Sequence, residues 1–125
     1  MSIEAGRLRH RVRIEEKRYL LDSNGDVWQD PQTGATRQEW TLVDEVWAAI
    51  EPMSAREFVQ SQAMQSQVTT RIVIRYRDGM HAAMRLVHVR TGRADVIYNI
   101  HGVLPDADSG LAHITLPCSQ GVNEG

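Results

Sequence analysis

Cysteine occurs once in this chain, at Cys118, so no internal disulfide can form. Aromatic residues are scarce, with a single phenylalanine, and no paired run of them offers a platform for stacking nucleic-acid bases. Neither sign of charge dominates: 14 Lys and Arg against 16 Asp and Glu leave a net charge of −2, which argues against a protein that coats DNA. No stretch approaches the ~20 apolar residues a membrane helix needs. The opening residues, MSIEAGRLRHRVRIEE, lack the apolar core of a signal peptide. The chain reads as soluble, made in the cytoplasm, with no membrane partner.

Chemical motifs are missing as well. There is no G-x-S-x-G, no P-loop, no G-x-G-x-x-G and no H-E-x-x-H. The five histidines are scattered, without the spacing of a metal site; His88 and His113 are expected to approach each other across the fold as structural side chains. Cys118 reads as a small core residue. The segment Asp22-Ser23-Asn24-Gly25-Asp26 has a superficial likeness to a calcium loop, but its glycine falls at the fourth position rather than the sixth, and a plain turn explains it. No enzyme, cofactor or metal is expected.

What is present is a set of alternating strands. At 125 residues the chain is one domain, 1–125, with an arm at 1–6 and a polar tail at 119–125. Leu8, His10, Val12 and Ile14 alternate with Arg7, Arg9, Arg11 and Arg13, giving a strand with one apolar and one basic face. Residues 19–39 form a long loop rich in turn formers (Asn24-Gly25, Asp30-Pro31, Thr33-Gly34). Its apolar load, Leu20, Leu21, Val27 and Trp28, requires either a partner subunit or a hairpin about Asn24-Gly25. The second strand alternates Val46, Ala48 and Ile50 against Trp47 and Ala49, and Pro52 breaks it. Ser54-Ala55-Arg56-Glu57 is a capping box, which predicts a short helix over about 54–66. That helix has a thin apolar face around Phe58 and places Arg56 and Phe58 as candidate subunit contacts.

From Val68 the period returns to two. Thr70, Ile72 and Ile74 face one way and Arg71, Arg75 and Arg77 the other. Further strands alternate about Leu86, about Tyr98 and about Ile114, and Pro117 is expected to end the last. The result is a mainly β fold: a small antiparallel barrel of about six strands with one inserted helix and one long loop. Should the first and third strands be neighbours, their arginines make one basic face, for which Asp44, Glu45 and Glu51 are the available counter-charges. That face (Arg7, Arg9, Arg11, Arg13, Arg71, Arg75) reads either as an ion-paired outer wall or as a surface toward DNA in a ring lumen.

Four stretches resemble one family in order and spacing. Gly6 to Ile14 reads G-R-L-R-H-R-V-R-I, Trp47 to Glu57 reads W-A-A-I-E-P-M-S-A-R-E, Thr70 to Met80 reads T-R-I-V-I-R-Y-R-D-G-M, and Leu116-Pro117-Cys118 reads L-x-C. This ordered set is similar to the head–tail joining (head closure, head–tail adaptor) proteins of tailed bacteriophages. The resemblance implies a β-barrel with an inserted helix and a long loop near the N-terminus. It also implies a virion structural protein that joins the DNA-filled head to the tail. Such a protein forms a ring, twelvefold on the virion, beneath the portal or its adaptor, touches a tail-terminator or tail protein, and helps retain packaged DNA. Two other readings are an OB-type nucleic-acid-binding barrel, using the arginine face, and a small-ligand or enzymatic barrel, using the histidines.

Overall fold

The computed structural model describes residues 8–53, 68–106 and 109–121. Seven strands follow one another: β1 (His10–Tyr19), β2 (Gln38–Pro52), β3 (Thr70–Arg75), β4 (Arg85–His88), β5 (Val96–Ile100), β6 (Leu104–Pro105) and β7 (His113–Gln120). Six of them are ordered β3-β2-β1-β4-β5-β7, and pairing of β3 with β7 closes the sheet on itself. Every pairing is antiparallel. The small antiparallel barrel expected from the alternation is therefore the observed fold, with the two-residue β6 added beside β7. The helix expected at 54–66 lies outside the described residues; among the described residues there is no helix.

The period of two decides what the barrel holds. Val12 and Ile14, Ala48, Ile72 and Ile74, Leu86, Tyr98 and Ile100, and Ile114, Leu116 and Cys118 all point inward and form one buried cluster. Ile14, Ile72, Ile74, Leu86, Ile114 and Leu116 are fully buried. At roughly 1.5–3 kcal/mol each, they supply on the order of 10 kcal/mol before conformational entropy is set against it. A second, smaller cluster of Leu8, Ala49 and Val73 lies on the outer wall.

Two irregularities shape the barrel. In β1–β2 the register shifts between Ile14 and Glu15, whose partners are Asp44 and Leu42, so Val43 is an extra residue on β2. This bulge buries consecutive residues of β1, with Ile14 inside and Glu15 on the outer side. Pro117 does not end β7, which continues to Gln120, two residues into the stretch read as a tail. Its carbonyl accepts from the His101 amide at 2.8 Å, so its absent N–H faces the break between β5 and β6 rather than β3. Gly102 sits above it: a Cβ there would lie 3.6 Å from the proline ring.

The β1–β2 hairpin outruns its neighbours. β4 leaves β1 after Glu15 and β3 leaves β2 at Ala48, while β1 and β2 stay paired out to Tyr19 and Gln38. The connection read as a loop is ordered by its backbone. Leu20 N donates to Arg37 O at 2.7 Å, and Trp28 N donates to Leu20 O at 2.8 Å. Leu21 bridges Val27 about the Asn24-Gly25 turn, where Gly25 has φ +86°, and Gln29 bridges Thr36. The Asp22 carboxylate accepts from the amides of Asn24 and Asp26, which is turn chemistry.

Candidate interaction surfaces

The outer wall carries the arginines singled out from the sequence. β2 lies between β1 and β3, so the two basic strands are not neighbours and no single basic face forms. The acidic residues of β2 stand between them instead. Arg11 Nε donates to Glu45 at 3.0 Å, Arg71 Nε to Glu51 at 3.2 Å and Arg77 to Asp44 at 2.7 Å. The Glu45 amide and the Arg77 guanidinium hold the Asp44 carboxyl below its usual range. Arg13 lies 3.5 Å from Glu15, and Arg75 and Arg9 are exposed. Arg7, Arg56 and Phe58 lie outside the described residues.

Glu15 is the most enclosed acid of the wall, at 7% exposure. Arg85 donates to it at 2.8 Å, and the same guanidinium lies 4.2 Å from the Trp40 ring centroid. This Glu15–Arg85–Trp40 cluster sits at the bulge, where the hairpin leaves the barrel. Each of the three tryptophans carries an arginine: Arg85 on Trp40, Arg11 on Trp47 at 4.8 Å and Arg37 on Trp28 at 5.2 Å.

On the projecting hairpin, Leu21 and Val27 are exposed, while Leu20 and Trp28 are half-buried by the excursion's own turns. The excursion therefore satisfies its backbone internally and still displays apolar side chains. His81 fastens the hairpin base. Its Nδ1 accepts from the Ala83 amide, which leaves Nε2–H to donate to Glu16 at 2.8 Å. His81 and Arg18 together lower the Glu16 pKa.

A surface that sequence reasoning missed lies where β3 diverges from β2. Trp47, half exposed at 51%, lines a cleft with Arg11, Arg75, Tyr76 and Arg77. Tryptophan, tyrosine and arginine are the residues most enriched at the energetic centres of protein interfaces. The signal was available: alternation turns Trp47 outward, opposite inward-facing Val46 and Ala48.

The remaining histidines and the cysteine are structural in geometry. His88 meets His10, not His113, with ring centroids 4.9 Å apart, and burial is the main reason its pKa falls. His101 bonds Ser119 at 2.8 Å. Burial pushes the Cys118 thiol up to about 12. Among the described residues no three metal-ligating side chains converge. An OB-type barrel has five strands, whereas six close here.

The class defined by these features is a small closed antiparallel barrel that presents an extended hairpin and aromatic–arginine surfaces. The chain belongs to the phage head completion protein family, whose model matches residues 3–121. It is thus a phage head-associated structural protein, virion-associated and in contact with other virion proteins. Among solved structures, it is similar to protein SF1141 from Shigella flexneri 2a, with 28% identity and a TM-score of 0.73 over 98% of this chain and 100% of that one. It also shares its fold with a chain of the virion of a native gene transfer agent particle, at 18% identity and a TM-score of 0.50, over 94% of this chain and 98% of that one. No curated protein sequence matches it.

Proposed function

We propose that the protein joins the DNA-filled head to the tail. In this reading copies assemble as a ring beneath the portal or its adaptor, meet a tail-terminator or tail protein on the other side, and help retain packaged DNA. The chain is made in the host cytoplasm and acts without catalysis or cofactor. The observation that carries the reading is the family match across residues 3–121 of a chain whose hairpin and excursion stand out from the barrel with Leu21 and Val27 exposed. Surfaces of this kind fit assembly better than turnover. The Tyr19–Glu39 segment is the part that reaches a neighbouring subunit or crosses the DNA channel. Leu20, Leu21, Val27 and Trp28 are its contact residues, and Arg56 and Phe58 contribute a second contact.

The test shortens the excursion. Because Leu20 N already bonds Arg37 O, replacing residues 21–36 by Asn-Gly leaves a two-residue hairpin turn. The expected product is a folded barrel that no longer completes heads, scored as particles that lose DNA and fail to accept tails. Normal infectious particles from this variant would refute the role given to the segment. Ion pairing of Arg11 with Glu45 and of Arg71 with Glu51 favours the outer-wall reading of these two arginines over a DNA-lumen role.

A further inference from the structure

Beyond Glu15 on one side and below Ala48 on the other, the β1–β2 hairpin is a two-stranded ribbon. No described residue pairs with the outer edge of Glu16–Tyr19 or with that of Gln38–Val43. Each edge therefore carries unpaired backbone donors and acceptors, which is a template for another strand. A two-stranded ribbon is also marginal in water by itself.

The two edges differ in charge. The β1 edge carries Glu16, Lys17 and Arg18, with Arg18 bonded to Glu16 at 3.0 Å, and is net positive, whereas the β2 edge carries Glu39 as its one charge. Their faces match too. Lys17 and Tyr19 share a face with Gln38, Trp40 and Leu42, and Glu16 and Arg18 share the other with Glu39 and Thr41. Tyr19 and Leu42, on the first face, are about half exposed.

We propose that the β1 edge of one copy pairs antiparallel with the β2 edge of the next, so that the hairpins of a ring form one continuous sheet. The occupant is a second copy of this chain, and charge selects it. Antiparallel pairing of β1 with β1, or of β2 with β2, needs the two hairpins to point in opposite directions and sets two edges of the same net sign together. Like charges directly opposite one another destabilise a strand pair. Pairing unlike edges sets Arg18 of one copy against Glu39 of the next. It is head-to-tail, the arrangement that propagates into a ring. Hairpins that all point the same way meet β1 to β2 in antiparallel sense without reversal, and in that register Tyr19 of one copy lies opposite Gln38 and diagonal to Trp40 of its neighbour.

This inference rests on the ring reading above, and its test separates the two. One population of full-length chain carries Arg18→Cys; a second carries Glu39→Cys or, to allow for register, Thr41→Cys. Native Cys118 is buried and does not interfere. The populations are mixed, added to portal-bearing heads and oxidised. The expected product is a disulfide dimer between unlike variants, with no dimer from either population alone. Incorporation into heads without that dimer, or with the cysteines linked to another virion protein, overturns the edge pairing and leaves the joining role standing. Failure of the wild-type chain to join heads overturns the joining role. The same mixture in concentrated solution then decides the edge pairing separately.

Discussion

Replacing Glu15 by alanine should remove the anchor that fixes the hairpin to the barrel. Glu15 is 7% exposed, and the Arg85 side chain that donates to it is 15% exposed. Deleting the carboxylate takes away the 2.8 Å contact and leaves the guanidinium against the Trp40 ring, with no other charge partner among the described residues. Breaking a buried pair from one side costs about 3–5 kcal/mol, because the surviving charge is uncompensated. Partial access of Arg85 to water places the expected loss near the lower bound, about 3 kcal/mol. The Arg13 contact, at 3.5 Å with 41% of that side chain exposed, contributes little. Urea unfolding followed by tryptophan fluorescence reads the change as a fall in midpoint at constant slope. Replacing both partners by methionine should recover most of the loss, since paired removal leaves no orphan. A Glu15→Ala loss under about 1 kcal/mol, or a double variant no better than the single, would show that the Glu15–Arg85 pair does not anchor the hairpin.

Three further outcomes are expected. Trp47→Ala should leave the unfolding midpoint nearly unchanged, because the side chain is half exposed, yet lower incorporation into heads in a competition with wild type. The Cys118 thiol should resist iodoacetamide at pH 8 until denaturant exposes it; rapid labelling of native protein would contradict its burial. Asp106 accepts from the backbone amides of Ser109, Ala112 and His113, which hold its carboxyl well below the usual carboxylate range. A group whose folded pKa is depressed contributes its stability above its unfolded value, near 3.8, and loses it as pH falls below that. Asp106→Asn should therefore lose stability at pH 6 and show a flatter decline than wild type from pH 4 downward in urea titrations.

The barrel was legible because a period of two runs along its strands: Ile72 and Ile74 go in while Arg71 and Arg75 go out. The partners of Arg11, Arg71 and Arg77 were legible as residue types, since Asp44, Glu45 and Glu51 were the candidates on the second strand; the contact of Arg13 with Glu15 on its own strand was not. That β2 separates β1 from β3 was not, because strand order depends on closure and not on any one strand's pattern. Pro117 was misplaced for a similar reason. Its missing N–H is harmless where the partner changes from β5 to β6, and that break is a tertiary fact. The Glu15–Arg85–Trp40 cluster joins residues 70 positions apart through a bulge at Val43, and no local pattern signals such a bulge. Trp47 was visible as an outward residue, but the cleft beside it exists only because β3 turns away there.

The most direct test of the joining role is electron cryomicroscopy of particles assembled with and without this protein. The expected images show a ring of these barrels at the portal vertex, with hairpins joined laterally, and loss of packaged DNA when the protein is absent. Barrels spread over the capsid faces, or full heads that keep their DNA and bind tails without the protein, would contradict that role.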